Sequence, residues 1–377
     1  MVNKKRLLLL TKKLIRINSA NPPGDESRIA SFVKTYLEKL GVKSRIYEFK
    51  KNRPNLVAVL GRQSGSRLLI TPHLDTVPAG KSWKVPPFSG EVRSGKIYGL
   101  GATDCKGNLA ASLEVINSLV EDRVRLDYGL VFAATADEES GSALGLEPLL
   151  KRGILKPDSA LVLDADDFQI IVAQKGLMHI KVKISGKKAH GAYPWLGENA
   201  IDAAVLAIEG LKRHWARRSR VEQNRHLKPA TLNIGTIKGG DKVNVVADWC
   251  EFELDYRFLP GDSAISIIKE IKGVLWRCSR DFKIEIEGIQ RPYLISASHP
   301  LVRFLQRAAR QMRIASRISG SEGATTISFF QGKGIPAVAT GFGVSGCAHM
   351  ADEYAMVDDL FRGALLLERF LKLYKSN

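Results

Sequence analysis

Paired cysteines are missing from this sequence. Its four cysteines, Cys105, Cys250, Cys278 and Cys347, lie far apart with no CxxC spacing, which excludes a zinc ribbon and gives no sign of a disulfide framework. Reduced thiols follow. Long apolar runs are missing as well. Leu7 to Leu10 follow Lys4, Lys5 and Arg6, but Lys12 and Lys13 end the run before it reaches the length of a secretory h-region, and no small-residue cleavage site comes after it. Leu7, Leu10, Leu14 and Ile17 fit one face of a first amphipathic helix, so a cytoplasmic protein with no membrane partner is expected. Negative charge is also short: 39 acidic against 57 basic side chains give a net +18. Such an excess marks either a nucleic-acid partner or an anionic substrate in a basic protein. The basic residues are dispersed, and the densest run, 212–225, holds a single aromatic, Trp215, where a base-stacking platform would interleave several. It reads as a solvated helix face, and no nucleic-acid partner is expected.

What is present suits a globular chain, with 45% apolar and 25% charged residues. At 377 residues the chain exceeds the size at which one core usually keeps growing, so two domains are expected. Residues 25–40 carry Ile29, Phe32, Val33, Tyr36, Leu37 and Leu40 on one helical face, with Gly41 as a stop. Strands at 56–60, 67–71, 127–135 and 160–163 then alternate with a helix at 107–119, and apolar runs such as Leu130 to Ala134 suit a mostly parallel sheet covered on both faces. From Leu177 the pattern changes, because Ile180, Val182 and Ile184 alternate with His179, Lys181 and Lys183 as in a half-exposed strand. A helix at 199–215, strands at 231–237 and 249–258, a helix at 264–278 and a strand at 283–287 complete a β-α-β-β-α-β order. That is the order of a ferredoxin-like α+β unit, and the return to helix (300–312) and strand (337–340) marks it as an insertion. The boundaries expected are 1–176 and 288–377 for an α/β domain and 177–287 for the inserted one.

Several strand ends carry polar groups. The 67–71 strand runs into His73-Leu-Asp75, where period-two geometry sends both side chains to one side, as a metal-binding histidine and a supporting carboxylate would lie; a plain polar strand end has the same form. Asp104 sits in the glycine-rich run YGLGATDCKG (98–107) ahead of a helix, but the spacing matches neither phosphate-loop pattern. Asp137-Glu138-Glu139 follows the 127–135 strand directly. Adjacent carboxylates there raise each other's pKa unless a cation is bound, although a solvated acidic loop would read the same. Asp164-Ala-Asp166-Asp167 repeats the arrangement after 160–163, and His349 stands after the 337–340 strand and a glycine-rich loop. Histidines and acids gathered at the strand ends of an open α/β sheet are the donors that borderline cations with open positions take.

The sequence resembles the M20-type metallopeptidase and deacylase family that includes acetylornithine deacetylase, succinyl-diaminopimelate desuccinylase, aminoacylase-1 and glutamate carboxypeptidase. The resemblance covers essentially the whole chain and rests on PHLDTVP (72–78), GLGATDCKG (99–107), ADEESG (136–141), GKKAHG (186–191) and AHMADE (348–353). It implies a zinc-exopeptidase-like catalytic domain with an inserted lid and dimerisation domain, and hence a homodimer through residues 177–287. It implies one divalent ion on His73, Asp104 and Asp164 and a second on Asp104, Glu139 and His349, with Asp104 bridging. Zinc is the expected metal, with cobalt and manganese as alternatives. Asp75 becomes the partner of His73, and Glu138 the general base that takes a proton from the attacking water and passes it to the leaving amine. His190 is implied to stabilise the tetrahedral oxyanion, with Asn244 and Arg257 as substrate contacts, Arg257 suited to a carboxylate. The activity implied is removal of an N-acyl group from an amino acid, with dipeptide or C-terminal peptide cleavage as the alternative and a non-catalytic binding module as a remote one.

The match departs at GATTISFF (323–330), where Thr326 and Ser328 replace the Asp and Arg usual in the family, so desuccinylase specificity does not transfer. Asp164 stands where many members have Glu. Cys105, beside the bridging acid, reads as a packed thiol or as an extra soft ligand.

Overall fold

The protein is described by a computed structural model covering residues 1–62 and 64–375. The chain forms two compact units, one of Met1–Val172, Ile295–Ser319 and Thr325–Asn377, the other of Ala173–Leu294 and Gly320–Ala324. The second unit thus extends beyond 177–287 at both ends; the inserted sheet's first strand already begins at Gly176 and its last runs on to Gln290.

In the first unit four strands lie parallel at the centre of the main sheet, in the order Gly129–Ala134, Arg67–Thr71, Ser159–Leu163, Ala337–Thr340. Nearly every residue in them is buried, as their unbroken apolar runs require when helices cover both faces. Pro54–Gly61 and Ser44–Glu48 extend one side antiparallel, and Ile170–Gln174 joins Ala337–Thr340 antiparallel on the other. The helix Lys106–Glu121 is buried on all sides from Lys106 to Leu119 and packs against Lys4–Ile15 and Val357–Leu373. Its buried Glu114 is satisfied by Arg6, whose Nε and Nη2 donate to the carboxylate at 2.6 and 2.8 Å. A small three-stranded sheet, Tyr354–Met356, Lys96–Tyr98 and Glu91–Arg93, supports the loop that follows Tyr98.

The second unit is a four-stranded antiparallel sheet ordered Thr231–Gly239, Trp249–Phe258, Gly176–Ser185, Phe282–Gln290. Gly176–Ser185 and Trp249–Phe258 alternate buried and accessible residues along their length, the pattern of a sheet with one covered face. Helices Ala200–Arg218 and Ala264–Leu275 cover that face, burying Ala204, Leu211, Ile267 and Ile271 against Met178, Val182, Phe252 and Tyr256. This is the ferredoxin-like order expected from the sequence. Among the described residues no helix is long and apolar enough to cross a membrane.

Candidate metal centre

Each of the four central parallel strands delivers part of one polar cluster at its C-terminal end, where open α/β sheets place their sites. His73 and Asp75 follow Arg67–Thr71, Glu138 and Glu139 follow Gly129–Ala134, Asp164 follows Ser159–Leu163, and His349 lies in the loop after Ala337–Thr340. Asp104 comes from the glycine-rich loop that enters Lys106–Glu121. In that loop Gly101, at φ +81°, faces Thr76 and Lys106 so closely that a Cβ would lie 2.6 Å from the Thr76 methyl.

Asp104 stands between the two histidines. Its Oδ1 lies 2.8 Å from His73 Nε2 and its Oδ2 lies 3.2 Å from His349 Nε2. Asp164 Oδ1 is 3.6 Å from His73 Nε2, and Glu139 Oε2 is 3.0 Å from His349 Nε2. Two donor groups result, His73 with Asp104 and Asp164, and Asp104 with Glu139 and His349, each with its ligand atoms within 4.8 Å of one another. The other Glu139 oxygen, Oε1, is buried without a hydrogen-bond partner. A buried, unpartnered carboxylate oxygen costs free energy that a cation would recover.

The electrostatics point the same way. Burial, then the charge of Asp164, pushes Glu138 well above the usual carboxylate range. Glu139 and Asp164 are raised too, burial again being the main cause. Asp104 moves down, because the His349 and His73 hydrogen bonds outweigh its burial. Burial opposes a charged His73, yet Asp104, Asp164 and Asp75 hold its pKa well above the ordinary value. His349 is raised to about 10 by its hydrogen bonds to Asp104 and Glu139. A crowd of acids that holds protons on two histidines is a site short of positive charge. Two histidine nitrogens and carboxylate oxygens are also the donor types that divalent zinc-like ions take, so the residues present fit such ions.

The surroundings hold this arrangement in place. His73 Nδ1 meets the backbone carbonyl of Asp75 at 3.0 Å, with the Asp75 carboxylate farther off at 3.6 Å, so the main-chain oxygen is the nearer partner of the ring. The Asp75 carboxylate accepts the amides of Glu138 and Glu139 at 3.0 and 3.2 Å and the Asn21 side chain at 3.0 Å. Cys105 is buried, and its sulfur accepts the His73 amide at 3.2 Å. Burial pushes its thiol up to about 12, so it is a packed neutral thiol rather than a thiolate ligand.

Other supporting groups were not singled out from the sequence. Glu353, buried, accepts the amides of Gly101, Thr103 and Asp104 at 2.8, 2.9 and 3.0 Å and so ties down the loop that carries the bridging acid. Asp352 Oδ1 accepts the amides of Lys84 and Val85 at 2.8 and 2.9 Å. The available signal was the acidic pair itself, placed just after His349.

The other expected residues, His190, Asn244 and Arg257, belong to the second unit. His190 is exposed and its Nδ1 accepts the Ala192 amide at 3.0 Å. It bridges to Val245, and the Gly191 amide donates to the Asn244 carbonyl at 2.9 Å, so the 190–191 and 244–245 segments are neighbours. Arg257 is already engaged: Nε and Nη2 fork onto Asp255 at 2.7 and 2.9 Å. Thr326 and Ser328 are both buried, at the start of the short helix Ile327–Gln331.

The profile of Peptidase family M20/M25/M40 matches residues 69–373. An acetylornithine deacetylase of Pasteurella multocida (strain Pm70) is 32% identical over 254 residues, which span 65% of this chain and 65% of that relative's length. A succinyl-diaminopimelate desuccinylase of Orientia tsutsugamushi (strain Boryong) is 26% identical over 373 residues, 96% of this chain and 94% of the relative. Among solved structures, a tripeptidase of Staphylococcus aureus subsp. aureus Mu50 superposes with a TM-score of 0.80 at 27% identity, covering 99% of this chain and 98% of the other. The chain therefore belongs to peptidase family M20/M25/M40.

Proposed function

We propose that the protein removes an N-acyl group from an amino acid, with a substrate of the acetylornithine or succinyl-diaminopimelate kind. The observation that carries this reading is the placement of Asp104, one oxygen beside each histidine of two separate donor groups. One divalent ion would lie on His73, Asp104 and Asp164 and the other on Asp104, Glu139 and His349, with zinc preferred and cobalt or manganese as substitutes. Such ions supply a lowered pKa for water and polarisation of the scissile carbonyl.

The remaining work belongs to side chains. Glu138 takes the proton from the attacking water and delivers it to the leaving amine. Burial and the charge of Asp164 raise its pKa above the usual carboxylate range, which favours its taking up the proton. Asp75 holds the Glu138–Glu139 turn through their amides while its carbonyl orients the His73 ring. His190 donates to the developing oxyanion, a contribution of roughly 3 kcal/mol for one well-placed donor. Asn244 and Arg257 contact the substrate, with Arg257 exchanging or sharing its Asp255 fork for the substrate carboxylate. Residues 177–287 serve as lid and as the interface of a homodimer in the cytoplasm.

The test is amine release from a panel of N-acetyl and N-succinyl amino acids and dipeptides, using metal-stripped protein with and without zinc or cobalt. Metal-dependent release from an N-acyl amino acid supports the reading. Turnover of dipeptides alone replaces it with the peptidase reading, which the likeness to a tripeptidase favours. Bound metal without turnover on any member counts against both.

A further inference from the structure

Behind the acidic strand ends lies a buried ion network that the reaction described above does not use. Glu26, at the start of helix Ser27–Lys39, is wholly buried, and Arg53, just before strand Pro54–Gly61, is 5% exposed. The guanidinium forks onto Glu26, with Nε–Oε2 at 2.7 Å and Nη2–Oε1 at 2.9 Å. Gly24, at φ +77°, leaves room for it, since a Cβ there would come within 2.5 Å of the guanidinium.

The network does not end at that fork. Here Nη2 also donates to Asp137 Oδ1 at 2.8 Å. Asp137 is buried and adopts a left-handed backbone at φ 66°, and it immediately precedes Glu138 and Glu139. Its other oxygen accepts the Leu144 amide at 3.0 Å, which closes the turn. Asn21 Nδ2 then joins Asp137 Oδ1, at 3.3 Å, to Asp75 Oδ2, at 3.0 Å. Asp75 in turn holds the Glu138 and Glu139 amides and the His73 ring. A path of charge-assisted hydrogen bonds therefore runs from Glu26 to the backbone amides of Glu138 and Glu139, and Asp75, through which it passes, meets the His73 ring with its own backbone carbonyl.

We propose that Arg53 is a positioning residue for the hydrolytic centre: locked by Glu26, it holds Asp137 and, through Asn21 and Asp75, orients the Glu138–Glu139 turn and the His73 ring. The inference rests on the hydrolase reading above. Arg53 touches neither substrate nor reacting atoms and acts only through these neighbours. Arginine suits the position because one planar fork reaches two carboxylates at once, which a lysine ammonium cannot reproduce.

Arg53→Met alone would strand the Glu26 charge and could simply unfold the protein. The variants are therefore Glu26→Gln/Arg53→Met, which removes both charges of the fork and leaves Asp137 to the Leu144 amide and Asn21, Arg53→Lys, which keeps the charge without the fork, and Glu26→Gln, which keeps the Asp137 contact. Each is read by thermal unfolding, by Co²⁺ affinity and the cobalt absorption spectrum, and by kcat and KM on the panel substrate. Expected for the first two is a thermal transition like that of the wild type, a shifted cobalt spectrum, and a fall of about 10- to 100-fold in Co²⁺ affinity and kcat with KM within threefold. Glu26→Gln, which weakens the lock on Arg53 but leaves its Asp137 contact, should lose clearly less than the double variant.

The inference is overturned if the folded double variant keeps Co²⁺ affinity and kcat within tenfold of wild type, or if Glu26→Gln loses as much as the double variant does. Should the double variant not fold, Arg53→Lys is judged by the same limits. Cobalt binding is read without substrate, so a wild type inactive on the whole panel would refute the reaction and still leave the role of Arg53 decided by the metal data.

Discussion

The Glu138 amide donates to Asp75 Oδ1 at 3.0 Å, so the residue behind the ligand histidine also sets the backbone of the proposed base. Both functions meet in one residue, the carbonyl facing the ring and the carboxylate taking the amide. Replacing Glu138 with Ala leaves that backbone contact intact and removes only the side chain. kcat should fall by about 10²- to 10⁴-fold, the usual worth of a general base. Zinc content measured on the same preparation should be unchanged; a variant with near-normal kcat would take the base role away from Glu138.

Asp75→Ala should weaken metal binding and turnover together, by about 10- to 100-fold, because the turn amides and the Asn21 side chain lose their common acceptor. Asp75→Asn keeps one carbonyl oxygen for them and should recover part of the loss. Competition with a chromogenic chelator measures the affinity. Equal defects in the two variants would mean that the charge, and not the hydrogen bonding, is what matters.

Metal binding should release protons. In the ion-free protein His349 is raised to about 10, chiefly by its hydrogen bonds to Asp104 and Glu139, and His73 is raised well above its ordinary value. The His349 ring is therefore protonated at neutral pH and must become neutral to ligate, and the upward shift of His73 acts in the same sense. The sign follows: apparent metal affinity rises with pH up to the His349 titration. Calorimetric titrations at one pH in two buffers of different ionisation enthalpy should give binding heats that differ by the protons released, and identical heats would contradict this charge state.

The same linkage makes the ion a stabiliser. Free metal at 100 times its Kd should add about 2.7 kcal/mol to folding. The thermal midpoint should therefore climb with zinc concentration and fall back with a chelator, while a midpoint indifferent to both would argue against a bound ion.

Glu353→Ala strips the acceptor from three backbone amides in the loop that presents Asp104. Buried donors left unpaired cost about 1–3 kcal/mol each, so urea unfolding should show a loss of more than about 2 kcal/mol. Glu353→Gln retains one acceptor and should lose less. Superimposable unfolding curves for wild type and Glu353→Ala would show that the loop is held by other means.

Much of the centre was legible because its donors are local features of the chain. His73, Glu138, Glu139 and Asp164 each follow closely on an apolar run that could be recognised as a buried strand, and a polar residue just past such a strand stands at the sheet's C-terminal edge whatever surrounds it. The ferredoxin-like order was equally legible, since period-two alternation is written into Ile180, Val182 and Ile184. The Asp255–Arg257 fork was accessible in principle, as residues two apart on a strand share a face. The closing helix Val357–Leu373 escaped notice, although Leu360, Ala364, Leu367 and Leu371 carry the helical spacing of its buried face.

Composition and periodicity by themselves determined that this chain makes an α/β domain with an inserted α+β unit, and which strand ends carry acids and histidines, because these depend on neighbours a few residues away. Only the tertiary structure decided that Asp104 divides its oxygens between His73 and His349, that Glu353 holds the loop of Asp104, and that Arg53 lies against Glu26 and Asp137. Those pairings join segments far apart in the chain, and nothing in local propensity records which buried charge another buried charge will meet; that is settled by packing, when each must find a partner away from water.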